Sequence, residues 1–94
     1  MYSRLFLFRF DPVQREAVEA LARHAHEIMR KQQGFHSAHF FADWEGGEGG
    51  AFSVWNTRED LEGYSKDFRP LMHAASVALF LDKPKVLVSE VIPE

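Results

Sequence analysis

The chain contains no cysteine, which excludes disulfide bonds, thiolate metal sites, iron–sulfur clusters and thiol nucleophiles. It also lacks an apolar run near the roughly 20 residues that a membrane-spanning helix needs. There is no long basic run, and the formal net charge is −3 at pH 7, so neither nucleic acid nor a membrane surface is expected as a partner. Because a cysteine-free chain suits a reducing compartment and the N-terminus does not resemble a signal peptide, we expect a cytoplasmic protein.

What the sequence does contain is apolar and aromatic. Of its 94 residues, 46% are hydrophobic and 14% are aromatic, including nine Phe and two Trp. This length predicts one domain over residues 1–94, with no room for separate cofactor and substrate domains. A domain of this size has a thin stability margin, so a partner subunit would stabilise it.

Hydrophobic periodicity and turn residues divide the chain into six elements. Asp11 and Pro12 form an N-cap and a first-turn proline, and Thr57 with Asp60 resembles a capping box. Four glycines within residues 45–50 predict a hairpin with a flexible tip. In chain order the predicted elements are a strand at 2–10, a helix from Asp11 to about Gln33 ended by Gly34, strands at 35–44 and 51–55, a helix from Thr57, and a strand at 86–92.

The two helices differ in their predicted burial. His24 falls at the flank of the apolar side of the first helix, so its ring is expected to reach the sheet side and face a cavity. Pro70 is expected to restart or bend the second helix. Residues 71–81 after it are apolar nearly all round, which predicts a short helix buried on several sides. The apolar side of the first helix carries Val13, Ala17, Ala20, Leu21, Ala25, Ile28 and Met29.

The order β-α-β-β-α-β predicts a ferredoxin-like α+β fold, in which a four-stranded antiparallel sheet carries both helices on one face. The first two strands have apolar or aromatic residues at consecutive positions, so the face without helices is also apolar. Exposed apolar surface of this extent promotes association. We therefore expect a homodimer formed through the open sheet face.

Three segments resemble the antibiotic biosynthesis monooxygenase (ABM) domain family. They are Gly34-Phe35 at the start of the second strand, the glycine-interrupted hairpin, and the run from Val54 through Trp55 to Leu61. The resemblance implies a dimeric α+β barrel with a cavity in each subunit between the helices and the sheet. It further implies a small oxygenase that uses neither metal nor flavin, so the expected function is a cofactor-independent monooxygenase acting on a small aromatic or quinol-like molecule.

Such an enzyme needs a base, hydrogen-bond donors for an anion, and apolar walls. His73 and His24 are the predicted bases, and Asn56 and Arg69 are the predicted donors. No metal site is expected, because neither the pair His24 and His26 nor the pair His36 and His39 has a spacing that closes on one ion. The predicted aromatic walls are Trp55, Tyr64, Phe52 and Phe68, together with Phe40 and Phe41.

Two alternatives remain open from the sequence. His73 lies nine positions beyond Tyr64, a spacing that resembles the haem-degrading branch of the family, in which a Trp and a His line the haem pocket. That branch also has an Asn on the first strand, and residues 2–10 contain none. The other alternative is a binding or structural module without catalysis, whose cavity is filled by its own aromatic side chains. A cavity of ~300 Å³ or more separates a ligand site from a filled core.

Overall fold

A computed structural model describes all 94 residues. Strand β1 spans Tyr2–Arg9, and a short 3-10 turn at Pro12–Gln14 leads into helix α1, Arg15–Met29. Strands β2, Phe35–Asp43, and β3, Glu48–Trp55, form a hairpin. Helix α2, Arg58–Ala78, and strand β4, Lys85–Glu90, complete the chain. The predicted element order is confirmed.

The four strands form one antiparallel sheet in the order β2-β3-β1-β4, which is the ferredoxin-like arrangement. Since side chains alternate along a strand, the even-numbered residues of β1, such as Phe6 and Phe8, face the helices and are buried. The odd-numbered residues face the other way. There Leu5 lies beside both Phe52 of β3 and Leu87 of β4.

The open face of the sheet is apolar, as the sequence predicts. Its exposed residues include Phe41, Phe52 and Leu87, with exposed fractions of 46%, 39% and 59%. Leu5 and Leu7 between them are half-buried. No helix packs on this side, so these side chains meet solvent in the single subunit.

Helix α1 begins after the predicted cap, ends at Met29 and not near Gln33, and buries only part of the predicted apolar side. The Asp11 carboxylate accepts a hydrogen bond from the backbone N–H of Val13 at 3.1 Å, which caps the 3-10 turn. Because this turn precedes the α-helix, Val13 is out of phase with the helical wheel and is 82% exposed. The residues that α1 buries are Val18, Ala25 and Met29. The predicted apolar side is therefore confirmed for Ala25 and Met29, with Leu21 and Ile28 half-buried, and wrong for Val13, Ala17 and Ala20, which are exposed.

Helix α2 starts at the predicted cap, where the Thr57 hydroxyl accepts a hydrogen bond from the backbone N–H of Asp60 at 3.1 Å. It continues through Pro70 without a break. The segment after Pro70 contacts the rest of the molecule on one side, through Met72, Ala75 and Phe80, while Val77 on the other side is 79% exposed. The prediction that residues 71–81 form a helix buried on several sides is therefore wrong.

The β2–β3 turn is shorter than the sequence predicts. Gly47 has a φ of 69°, a left-handed conformation that glycine adopts without steric cost, and its carbonyl accepts a hydrogen bond from Phe10 at 2.9 Å. Gly49 and Gly50 belong to β3 and are buried. A Cβ at Gly50 would collide with the Phe6 carbonyl oxygen, so here glycine permits a close approach between strands.

Buried side chains form two clusters between the helices and the sheet. One contains Phe6, Phe8, Phe10, Val18, Ala75 and Phe80. The other contains Ala25, Met29, Trp55, Leu61, Tyr64 and Phe68. Met72 packs against both clusters. Neither helix combines the length and the apolar character that crossing a bilayer requires.

Candidate functional site

A cavity of about 350 Å³ lies between the two core clusters. Its lining includes Phe6, Phe8 and Val18 from the first cluster, and Met29 and Phe68 from the second. Of the 18 lining residues, 14 are hydrophobic. The space is therefore an apolar chamber between α1, α2 and the sheet, and its volume falls within the range of small-molecule sites.

Short side chains keep this space open. Ala22 and Ala25 of α1 line the cavity opposite Ala42 of β2 and Ala51 of β3. Close-packed interiors normally fill such gaps, and an unfilled gap forfeits dispersion contacts. Because alanines face each other across the layers, the larger aromatic residues beside them do not meet in the middle.

One charged residue of the sheet enters the cavity. Arg4 lies on the helix-facing side of β1, in register with Ser53 of β3, and lines the cavity together with Phe6 and Phe8. Its guanidinium lies over the Phe6 ring, 5.1 Å from the ring centroid. Burial lowers the pKa of this guanidinium, but an arginine stays charged in proteins.

The one carboxylate of the cavity lining, Glu19, lies between two arginines of α1. The Glu19 carboxylate accepts a hydrogen bond from Arg15 at 2.9 Å and lies 4.0 Å from the Arg23 guanidinium. Arg15 also covers the Trp44 ring at 4.6 Å, and Trp44 contacts Phe10 edge-on at 5.7 Å. Glu19 and Arg23 line the cavity from α1, so their charges already compensate each other.

A buried aromatic stack adjoins the cavity. The Tyr64 ring lies 4.8 Å from Trp55 on one side and 5.0 Å from Phe68 on the other. The indole N–H of Trp55 donates to the Ser53 hydroxyl at 3.0 Å. The Tyr64 hydroxyl is buried and has no hydrogen-bond partner, so this phenol carries an uncompensated desolvation cost.

Burial also raises the pKa of Tyr64 above its ordinary value of 10.0, against the opposing effect of the Arg4 charge. In the unfolded chain this phenol ionises near its ordinary pKa, while in the native protein it stays protonated. Native stability is therefore intact below the unfolded pKa and falls above it, by about 1.4 kcal/mol per pH unit.

Urea denaturation at about pH 9 and about pH 11 tests this linkage. The wild type is expected to lose about 1.4 kcal/mol more of its free energy of unfolding over this interval than Tyr64→Phe, which has no phenol to ionise. At about pH 8 the phenylalanine variant should be within about 1 kcal/mol of the wild type, because the hydroxyl has no partner to lose. Equal pH dependence in the two proteins would contradict the assignment.

The structure brings together some of the residues predicted to bind substrate and separates others. Phe68 and Phe40 line the cavity, while Trp55 and Tyr64 are buried in the stack that continues from Phe68. Phe41 borders the cavity, but its side chain lies with Leu7 on the open face of the sheet. Phe52 lies on the open sheet face, where it pairs with Leu5 and His39. Residues 52 and 55 are three apart on one strand, so their side chains point to opposite faces.

The predicted polar groups all lie outside the lining. Asn56 and Arg69 are exposed, and the backbone N–H of Asn56 donates to the Gly34 carbonyl at 2.8 Å. His24 and His73 are exposed as well. We expected the His24 ring to face the cavity because His24 falls near Val13 and Ala17 on the helical wheel. Both of these residues are exposed in the structure, and the His24 side chain is exposed with them.

The haem-like pairing of His73 with Tyr64 is also absent from the cavity. A helix turns 100° per residue, so nine residues along the continuous helix α2 place these side chains on opposite sides of its axis. Tyr64 is accordingly fully buried and His73 exposed. The two side chains could line one pocket only if Pro70 bent the helix, and α2 continues through Pro70.

Sequence reasoning missed Arg4, Trp44 and Met72. For Arg4 a signal was present, because alternation along β1 places it on the same face as Tyr2, Phe6 and Phe8. A charged residue among aromatic residues on an inward face marks a polar group inside a core. Trp44 and Met72 had no such signal, since their positions depend on how the turn and α2 pack.

Fold and cavity together define a small α+β domain with an internal apolar cavity. A comparison with solved structures finds the same fold in Rv0793 from Mycobacterium tuberculosis, at 23% identity over 99% of this chain and 96% of that one, with a TM-score of 0.80. A variant of SnoaB, a cofactor-independent oxygenase from Streptomyces nogalater, is 14% identical over 99% and 94% of the two chains, with a TM-score of 0.77.

A third similar structure is the ActVA-Orf6 monooxygenase of Streptomyces coelicolor in complex with Nanaomycin D. It is 20% identical over 99% of this chain and 92% of that one, with a TM-score of 0.74. No curated protein matches the sequence. The family model described as antibiotic biosynthesis monooxygenase matches residues 1–75, so the chain belongs to this family.

Proposed function

We propose that the protein is a cofactor-independent monooxygenase acting on a small aromatic or quinol-like molecule held in the cavity. The observation that carries the proposal is the cavity itself, about 350 Å³ with 14 hydrophobic residues among the 18 that line it. A core filled by its own aromatic side chains would leave no such space, which weighs against a purely structural module. Membership of the family and the similarity to SnoaB and ActVA-Orf6 also support the proposal.

In the proposed reaction, an acidic aromatic substrate loses a proton and its anion reduces molecular oxygen. For a ring methylene, one oxygen atom becomes the new carbonyl oxygen and the other leaves as water with both methylene hydrogens. The apolar lining excludes water, so a positive charge in the cavity acts strongly on the developing anion. His73 and His24, predicted as bases, lie outside the lining, and the proposal does not depend on them.

Oxygen uptake with a panel of hydroquinones and anthrones tests the proposal. We expect substrate-dependent uptake above the buffer rate, with one atom of labelled oxygen in the product. Ala22→Phe fills the cavity from α1 and should lower kcat/KM by at least about tenfold. Ala20→Phe, on the exposed side of the same helix, is the matched control and should retain the wild-type rate. Uptake equal to buffer for the whole panel with folded protein would reject the function.

We further propose that the protein is a homodimer joined through the open sheet face. Phe52, Leu5 and Leu87 lie side by side on this face, and Phe41 enlarges the patch. Contiguous apolar patches of several hundred Å² on a soluble protein mark interaction surfaces. Two such faces packed together would remove these side chains from water.

The proposed compartment is the cytoplasm. This rests on the cysteine-free sequence, since proteins without disulfides are typical of reducing compartments.

A further inference from the structure

Arg4 carries a positive charge that the protein leaves without a partner. It lines an otherwise mainly apolar cavity, yet its guanidinium takes part in none of the side-chain hydrogen bonds or ion pairs of the molecule. The Arg4 guanidinium lies over the Phe6 ring. Because this contact uses the face of the guanidinium, its in-plane N–H groups remain free to donate hydrogen bonds. Arg4 is half-buried, and a charge that is partly removed from water normally gains from a compensating partner.

The neighbouring groups do not supply this compensation. The ionisable group that Arg4 senses most is the Tyr64 phenol, and burial keeps that phenol neutral by raising its pKa. The one carboxylate of the lining, Glu19, is engaged by Arg15 and Arg23. The lining therefore carries two guanidinium groups, Arg4 and Arg23, and one carboxylate, and Arg4 is the guanidinium that has no ion-pair partner.

We propose that Arg4 binds the anionic oxygen of the ligand, so that the cavity selects aromatic molecules carrying one oxyanion over neutral molecules of the same shape. The planar fork of a guanidinium matches a carboxylate in two parallel hydrogen bonds and donates equally to a phenolate or enolate oxygen. The ring system then extends along β1 from Arg4 toward Phe8, a distance of about 13 Å at the rise of a strand. Arg4 is thus a specificity-determining residue.

This inference rests on the proposed function only in taking the cavity as the ligand site. In the proposed reaction the same contact would lower the pKa of a bound acidic hydroxyl, because a nearby positive charge favours the ionised form. Anion selection is nevertheless a binding property, and it is measurable without turnover.

A matched pair of probes tests the inference, 2-naphthoate as the anion and 2-naphthamide as its neutral analogue. Isothermal titration calorimetry at neutral pH should show that the wild type binds the naphthoate at least about tenfold more tightly than the amide. Arg4→Met should bring the ratio of the two dissociation constants to about one. Arg4→Lys keeps the charge without the fork and should give an intermediate ratio. Arg30→Met, an exposed arginine on α1 paired with Glu27, should leave the wild-type ratio unchanged.

Several outcomes would overturn the inference. They are an unchanged ratio in Arg4→Met, a wild type without preference for the anion, and a protein that binds neither probe. Circular dichroism establishes that each variant is folded, which is expected because Arg4 has no ion-pair partner to lose and the Arg30–Glu27 pair is exposed. Anion preference that depends on Arg4 without oxygen uptake on any substrate would retain this inference and reject the monooxygenase. Oxygen uptake that Arg4→Met leaves unchanged would reject this inference and retain the monooxygenase.

Discussion

Replacing Trp55 by alanine is expected to lower the free energy of unfolding by about 3–5 kcal/mol. Trp55 is fully buried and holds the second core cluster together through its stack on Tyr64 and its edge contact with Phe35 at 5.5 Å. Truncation leaves a large void beside the existing cavity. It also removes the indole donor of the Ser53 hydroxyl, which adds an unsatisfied buried group. For a domain with a total stability of about 5–15 kcal/mol, this is a major fraction.

Urea denaturation followed by circular dichroism measures this loss, and Trp44→Ala is the matched control. Trp44 is the other tryptophan of the chain, but it is half-buried and lies at the cavity wall beside Arg15. Its loss should cost less than half as much stability, because solvent already reaches part of the ring. A loss in Trp55→Ala no greater than that in Trp44→Ala would contradict the view that the stack is the main anchor of this cluster.

A glutamate in place of Phe52 is expected to raise the dissociation constant of the proposed dimer by at least about a hundredfold, about 2.7 kcal/mol. Phe52 lies on β3, one of the two central strands of the sheet, between Leu5 and His39 on the open face. Pairing two copies of this face would bury two unpaired carboxylates, which is costly in an apolar interface.

Sedimentation velocity over a range of protein concentrations measures the effect. Val13→Glu is the control with the same change of charge, since Val13 is 82% exposed at the start of α1 and lies away from the open face. It should sediment like the wild type. A wild type that is a stable single subunit at working concentrations would reject the dimer, as would an unchanged dissociation constant in Phe52→Glu.

Much of the fold was predictable because it depends on local chemistry. The cap at Asp11 and the cap at Thr57 each follow from one or two neighbouring residues. The predicted end of the first helix near Gln33 is wrong, because α1 ends at Met29 and Gly34 lies in the turn that follows. The predictions were wrong where the burial of a helix depended on several neighbouring segments at once. Val13 lies in the 3-10 turn and is therefore out of phase with the predicted apolar side of α1, and Pro70 did not interrupt a helix that packing on one side supports.

The candidate site was predictable in part. Sequence placed Phe68 in the region of the cavity, because helical spacing puts it on the stripe of Leu61 and Tyr64. It did not identify the polar group, since the donors Asn56 and Arg69 were chosen for their chemistry and both lie in solvent. Arg4 enters the cavity because β1 is a central strand of the sheet, a consequence of strand pairing over long sequence separations.

The sequence by itself determined the element order, the helix caps and a sheet that is apolar on both faces, because these follow from hydrogen-bond capping and from the alternation of side chains along a strand. Only the tertiary structure decided that a space remains between the layers and that one unpaired guanidinium enters it. Cavity volume depends on which short side chains oppose each other across α1, β2 and β3. The electrostatics of Arg4 depends on the absence of a carboxylate partner among its neighbours, and neither property belongs to any single segment of the chain.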